Sequence, residues 1–234
     1  MSIFSRKKTK DTTPKAKPKT STKVETPKPK SSVAAPSPTG AQTLFNKYAI
    51  DVPEEHIRII DAENLLNLLT DLSIEPEDLV SLIIAWQFGC KRPYQFSEEE
   101  FITGCKKFGI TDISSFQKKL PHFRSLLKGD EEFNKFYLWS FSYFADSESV
   151  HRLPTETVLG MIQLILVPRY PQLGKFAEFV ETELVGSKPN FQRDAWNQLV
   201  RFATTIKKDF SNYSEEDAWH TILDDYVEWR KEKK

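Results

Sequence analysis

Between Asp130 and Ala145 the chain reads DEEFNKFYLWSFSYFA, with Phe133, Phe136, Tyr137, Phe141 and Phe144 spaced by three and four residues. An α-helix turns once every 3.6 residues, so this spacing gathers all five rings on one face, where a strand would divide them between two. The same period returns along the chain from Ala41 onward. Asp61–Leu72 sets Leu65, Leu66, Leu68 and Leu69 on one side. Glu75–Phe88 opens with Glu75-Pro76, an N-cap followed by proline at the first helical position. Ser97 and Glu100 form a capping box ahead of Phe101. The stretch Asp112–Leu127 is expected to break near Pro121, which lacks the amide donor and crowds the preceding turn. Further helices are expected near Pro154–Val167, Gln172–Val185 and Phe191–Lys207. A last one should run from about Ser214, where Asp217 completes a capping box, to about Glu232. No convincing strand alternation appears, connections are short, and no long repeat indicates a solenoid. The expectation is all-α: one compact domain of helix-loop-helix pairs over residues 41–234, EF-hand-like but without calcium sites.

Charge divides the chain at the start of that domain. The formal net charge is zero, yet residues 1–40 hold ten Lys or Arg against Asp11 and Glu25, so residues 41–234 are acidic by the same margin. Those first forty residues are rich in Pro, Ser and Thr, and Phe4 is their one aromatic. Such a segment buries too little apolar surface to offset the ordering of its backbone, and a disordered basic tail is expected. Arg6, Lys7, Lys8 and Lys10 are its densest cluster, readable as a solvated linker or a nuclear address. No aromatics interleave with the lysines, so nucleic acid is not an expected partner. Two cysteines do not make a disulfide framework. The longest apolar run, VLGMIQLILV (Val158–Val167), falls well short of the roughly 20 residues that cross a bilayer. MSIFSRKKTK has no apolar stretch after its charges, and Ser2 stands where myristoylation needs Gly. A soluble intracellular protein with no membrane partner is expected.

Catalytic and metal chemistry find little support. Cys90 and Cys105 have no neighbouring His and read as packing residues rather than nucleophiles. His56, His122, His151 and His220 show no metal-ligand spacing, and Gly-rich phosphate loops are absent. The best calcium-loop match is DSESVHRLPTET (Asp146–Thr157), where Asp146 and Glu148 offer oxygens. Its fifth, sixth and twelfth positions are Val150, His151 and Thr157, in place of an oxygen ligand, Gly and a bidentate Glu. No metal and no cofactor are expected.

The last predicted helix sorts its residues. On a helical wheel begun at Asp217, the residues Asp224, Glu228, Thr221, Asp225 and Ala218 share one arc, while Trp219, Ile222, Leu223, Tyr226, Val227 and Trp229 fill the opposite one. The apolar arc is a core face. The acidic arc, with small Ala218 at its edge, reads either as an ordinary solvated face or as a docking surface for a partner offering Lys or Arg beside an apolar contact. Asp194, in RDAWNQL, begins the preceding predicted helix.

The stretches LIIAW (Leu82–Trp86), FSEEEF (Phe96–Phe101), DAWNQLVRFATTI (Asp194–Ile206) and above all DFSNYSEEDAWHTILDDYVEW (Asp209–Trp229) carry a resemblance. From about Ala41 to Glu232 the chain resembles the defective-in-cullin-neddylation family, whose shared module is the potentiating-neddylation domain. The resemblance implies a scaffold-type ligase component without catalytic residues of its own. Its partners would be the C-terminal winged-helix region of a cullin, the RING subunit of the cullin ligase, and the conjugating enzyme of the ubiquitin-like neddylation modifier with its acetylated N-terminus. The family's Asp-Ala-Asp cullin-binding patch would fall on Asp194, Ala218 and Asp224. Its apolar pocket for the acetylated methionine would be made by Leu65, Ile84, Phe96, Tyr143, Met161 and Leu164, residues that any helical core also contains. Ser81 and Pro93 depart from it, standing where a larger apolar residue and a polar amide are expected. The basic tail resembles neither a ubiquitin-binding domain nor a lipidation signal found in some relatives, and residence in cytoplasm and nucleus is the resulting expectation. The competing readings are a metal-free EF-hand-like adaptor that binds a basic partner without promoting transfer, and a calcium-regulated binder.

Overall fold

The computed structural model describes residues 39–145 and 150–233. The tail assigned to residues 1–40 lies outside them apart from Thr39 and Gly40, as do Asp146 and Glu148 of the calcium-loop match. Thr39 caps α1 (Gly40–Tyr48), its hydroxyl accepting from the Gln42 amide at 3.3 Å. Two short strands come next, β1 (Ile50–Val52) and β2 (Ile57–Ile60), paired antiparallel with Ile50 opposite Ile59. Helix α2 (Ala62–Leu72) leaves from Asp61, whose carboxylate accepts from the Asn64 amide at 2.9 Å. Helix α3 (Leu79–Phe88) starts at Asp78 rather than Glu75. The shorter Asp78 side chain accepts from the Val80 amide at 2.9 Å and is itself held by Arg124, so residues 75–78 close a turn instead.

β3 (Phe96–Ser97) pairs with the other edge of β2 and leads into α4 (Glu98–Phe108). The expected capping box is present: Ser97 accepts from the Glu100 amide at 3.3 Å and Glu100 accepts from the Ser97 amide at 2.9 Å. Helix α5 (Ile113–Leu126) continues through Pro121, contrary to the expected break. A mid-helix proline costs about 3 kcal/mol, but Phe116, Leu120 and Phe123 are buried on both sides of it, each worth about 1.5–3 kcal/mol, so burial decides. The ring-rich α6 (Asp130–Phe144) comes after it.

In the second half, β4 (Arg152–Pro154) pairs antiparallel with β5 (Asn190–Gln192), Leu153 opposite Phe191. Between them α7 (Thr155–Met161) passes into a π-helical turn (Ile162–Leu166), and α8 (Gly174–Phe179) into another (Val180–Leu184). The five short strands among the described residues correct the expectation of none. At two to four residues each, they are too short to alternate visibly, and they let the loops entering α2, α4, α7 and α9 satisfy their backbone groups on each other.

Helices α9 (Arg193–Thr205) and α10 (Thr221–Glu232) close the domain, and α10 starts seven residues later than its sequence pattern predicts. Asn212 diverts the chain first: its side chain accepts from the Lys207 amide and donates to the Thr205 carbonyl. Trp219 is then buried edge-on against Phe202, with ring centroids 5.3 Å apart. His220 is the actual N-cap, its Nδ1 accepting from the Ile222 amide at 3.2 Å. Asp217 therefore stands on a loop, and no single helical face carries both Ala218 and Asp224. Among the described residues the architecture is all-α, around one connected core. Within it Phe88 is ringed by other phenylalanines, and Tyr226 packs edge-on against Phe176 and Phe202.

Candidate functional site: an apolar cavity and an acidic junction

Helices α2, α3, α6 and α7 border a cavity of about 800 Å³. Leu65 enters its wall from α2, Ile84 from α3, Phe96 from β3, Tyr143 from α6, Met161 from α7 and Leu164 from the π-helical turn. The fold thus brings together all six residues assigned to the pocket by resemblance. Ile84, Phe96, Tyr143 and Met161 are buried, while Leu65 and Leu164 are half-buried. Met161 and Leu164, three residues apart, both border the cavity while Ile162, Ile165 and Leu166 sit in the core. Burial pushes the Tyr143 phenol up, with the backbone amide of Tyr94 pulling the other way. Ser81 lines the cavity, but Pro93 does not: Tyr94 and Gln95 take that edge, so an amide is supplied two residues later than expected. Leu66, grouped by its spacing with the buried leucines of α2, is instead 51% exposed at the mouth. Tyr94, Phe144 and Gln163 are further lining residues that spacing alone does not single out. An apolar cavity with a few amides and the exposed carboxylates of Glu77 and Glu156 at its edge suits an apolar side chain on a peptide.

The residues assigned to the acidic patch stand elsewhere, on α9, on α10 and on the loop before α10. Asp194 is exposed in the first turn of α9, Ala218 is exposed on the loop before α10, and Asp224 is half-buried in the first turn of α10. His220 joins these elements: its backbone amide donates to Gln198 Oε1 at 2.8 Å, and its Nε2 lies 3.4 Å from Gln192 Oε1. Gln198 stands one turn beyond Asp194 on the same face of α9, so Asp194 faces the Ala218–His220 loop. Asp224 lies one turn into α10 from His220, and its carboxylate accepts a hydrogen bond from the Tyr213 hydroxyl. Asp225 is engaged with Lys188 at 2.7 Å. Both Asp194 and Asp224 also complement the partial positive charge of a helix N-terminus.

Cys90 and Cys105 are buried, and burial raises both thiols, Cys105 to about 12. A thiol so placed stays protonated and is a poor nucleophile. Among the described residues no group of His, Cys, Asp and Glu is arranged to hold a metal ion. In the former calcium-loop candidate, the Val150 carbonyl accepts from Arg193 at 2.7 Å and the Thr155 amide donates to the Pro189 carbonyl at 3.0 Å.

A family model described as cullin binding matches residues 115–229, the span that holds Asp194, Ala218 and Asp224. Over 195 residues the chain is 30% identical to DCN1-like protein 3 of Xenopus laevis, covering 82% of this chain and 63% of that protein. Over residues 115–229 the chain is similar to the cullin-binding family. Its likeness to DCN1-like protein 3 of Homo sapiens is 29% over 195 residues, covering 82% of this chain and 62% of that protein. DCN1-like protein 2 of Dictyostelium discoideum is 28% identical over 193 residues, 82% of this chain and 71% of that protein. The chain spans a little under two thirds of the length of the two DCN1-like protein 3 relatives.

Proposed function

We propose that this protein is a scaffold-type ligase component of neddylation. It holds a cullin and the charged conjugating enzyme together and promotes transfer of the modifier by positioning. In that transfer a cullin lysine amine attacks the thioester carbonyl at the modifier's C-terminus, an isopeptide bond forms, and the conjugating enzyme's cysteine thiol leaves. No side chain of this protein enters the exchange. Its contribution is proximity and orientation, which lower the barrier of a bimolecular step without a new reactive group.

The observation that carries the reading is the cavity built by Leu65, Ile84, Phe96, Tyr143, Met161 and Leu164. Its occupant is the acetylated N-terminal methionine of the conjugating enzyme. Burying that side chain yields about 1.5–3 kcal/mol, whereas burying a free ammonium without a partner costs more than this, so acetylation sharpens binding. The junction of Asp194, Ala218 and Asp224 receives basic groups of the cullin winged-helix region, and the RING subunit comes with the cullin. The raised thiols of Cys90 and Cys105 agree with a protein that carries no thioester. Residence in both cytoplasm and nucleus belongs to the same proposal and is read by imaging the tagged full chain.

The test is a purified transfer reaction from charged conjugating enzyme to a cullin C-terminal fragment. It is run without addition, with this protein, and with its Asp224→Arg variant. The wild type accelerates transfer and the variant, unchanged in helical circular dichroism, does not. Equal acceleration by both would remove Asp224 from the site, and none by either would leave a binding protein without ligase function.

A further inference from the structure

Helices α1 to α5 each begin on an oxygen cap, in turn Thr39, Asp61, Asp78, Ser97 and Asp112. Hydroxyls keep their lone pairs at any ordinary pH, and carboxylates stay ionised above about pH 5. Helix α10 begins differently. Among the described residues His220 is the one cap whose acceptor is a ring nitrogen, with Nδ1 accepting from the Ile222 amide at 3.2 Å. That bond requires a neutral ring with its proton on Nε2, where Gln192 Oε1 lies 3.4 Å away. The backbone of His220 is tied on both sides as well. Its amide donates to Gln198 Oε1 of α9 at 2.8 Å, and its carbonyl accepts from the Leu223 amide of α10 at 2.7 Å. One residue therefore sets where α10, which carries Asp224, starts relative to α9, which carries Asp194.

An imidazole is the one side chain whose ordinary titration falls between about pH 5 and 8. Protonation puts a hydrogen on Nδ1, aimed at the Ile222 N–H and at the partial positive end of α10, so the ring must leave its capping position. The charged groups of α9 nearest this loop are Arg193, Asp194 and Arg201, while β5 offers only neutral Gln192. Its own loop brings Glu216 and Asp217, and the first turns of α10 bring Asp224 and Asp225. Arg193 is bound to Ser142 and the Val150 carbonyl, Arg201 lies 4.8 Å from the Trp219 ring, and Asp225 is paired with Lys188. Among the described residues no Lys or Arg forms an ion pair with Asp194, Glu216, Asp217 or Asp224. A cation on the released ring turns to these carboxylates, the same ones that a basic partner would use.

We infer that His220 is a positioning residue that makes the junction of α9 and α10 sensitive to pH: neutral, it fixes the start of α10 and with it Asp224; protonated, it frees that start and answers the carboxylates itself. The inference rests on the proposed cullin site and adds to it a dependence on protons. Binding of Lys or Arg there and protonation of His220 oppose one another, so affinity falls as pH falls through the imidazole range.

The test is fluorescence polarisation of a labelled cullin C-terminal fragment against the full chain from about pH 7.5 to about pH 5.5, with circular dichroism at each pH. Wild type is compared with His220→Asn, an oxygen cap that does not titrate, and with His220→Ala, which has no cap. Asp224→Arg is the control for the site. Wild type loses about threefold to tenfold in affinity on acidification, the change expected of a lost helix cap. His220→Ala binds at the weakened level at both ends. His220→Asn recovers the neutral affinity that His220→Ala lacks and keeps it at the acid end. Titration of the fragment itself acts on every variant, so the difference between wild type and His220→Asn is the readout. A His220→Asn profile as steep as that of wild type, or a flat wild-type profile, overturns the inference and leaves the cullin site standing. His220→Asn binding no better than His220→Ala at neutral pH overturns it too. Wild type that does not bind the fragment at neutral pH, or binds it no better than Asp224→Arg, overturns the site reading and this inference with it.

Discussion

Substituting Gly104 by Ala sets two effects of opposite sign against each other. Gly104 is a buried residue inside α4, and alanine in a helix interior is favoured over glycine by about 1 kcal/mol. Propensity alone therefore predicts a more stable protein. The packing predicts the reverse. A methyl group at Gly104 would stand 2.6 Å from Phe88 Cδ1 and nearer still to Cγ and Cδ2. The Phe88 ring cannot easily yield, because Phe96, Phe101, Phe116 and Phe123 surround it with centroids 5.8 to 6.4 Å away. Overpacking of a filled core costs about 1–3 kcal/mol, and a ring hemmed in on several sides puts this case at the upper end. The net loss is then about 1–2 kcal/mol, or a melting midpoint lower by about 2–8 °C in a domain of this size. Gly160 in α7 supplies the contrast, since a Cβ there meets nothing within 4 Å. Gly160→Ala should gain about 0.4–1 kcal/mol. Urea and thermal unfolding monitored by helical circular dichroism read both variants. A Gly104→Ala protein that melts above wild type would refute the packing argument. Phe96 and Phe116 line the cavity, so Gly104→Ala should also weaken peptide binding there.

Three further outcomes are expected. Tyr213→Phe removes the hydrogen bond that orients the Asp224 carboxylate, so cullin-fragment affinity measured by calorimetry should fall about threefold to tenfold, in line with about 1 kcal/mol for such a bond, and should not change further on an Asp224→Asn background. Cys90 and Cys105 should resist a disulfide reagent at mildly alkaline pH in the native protein and react on urea unfolding; rapid native labelling would contradict their burial. The Asp71 carboxylate is held below its ordinary value, chiefly by Lys47 and then by the Tyr48 hydroxyl, both 2.5 Å away. A depressed carboxylate lends stability above its unfolded value, near 4, and loses it as pH falls through the folded one. The melting difference between wild type and Asp71→Asn should therefore shrink below about pH 4, and a difference that stays constant from neutral pH down into that acid range would count against this ion pair.

Helical period and capping chemistry made most of α2, α4, α6 and α9 legible, because each carries a local signal: Asp61 and Ser97 are caps, and the rings of α6 recur at three and four. The start of α10 differs from its sequence pattern for the opposite reason. Ser214 and Asp217 match a local capping pattern, while the burial of Trp219 and the bond from His220 to Gln198 are long-range and invisible to spacing. Pro121 misled in the same direction, its local cost being outweighed by rings packed on distant helices. The cavity lay further still from view. Leu65 and Leu66 are adjacent leucines of one apolar stripe, and nothing in the period separates a wall residue from one at the mouth. Only the resemblance named Leu65. Tyr94 lies in the turn after Pro93, and only the folded chain sets its ring near Phe144 at the edge of the cavity.

The cavity draws its walls from both sides of residue 115, where the matched span begins. Leu65, Ile84 and Phe96 come from before that point, and Tyr143, Met161 and Leu164 from after it. The acidic junction lies entirely after it. A fragment cut there would keep the junction but would have half a cavity, with Phe116, Phe123 and Phe136 stripped of the rings of Phe88 and Trp86 that now cover them. Such a piece would tend to aggregate before it could be assayed. The cavity and the junction are therefore not separable modules that recombination could shuffle one at a time; any descendant that keeps a folded junction inherits the helices that shape the cavity as well.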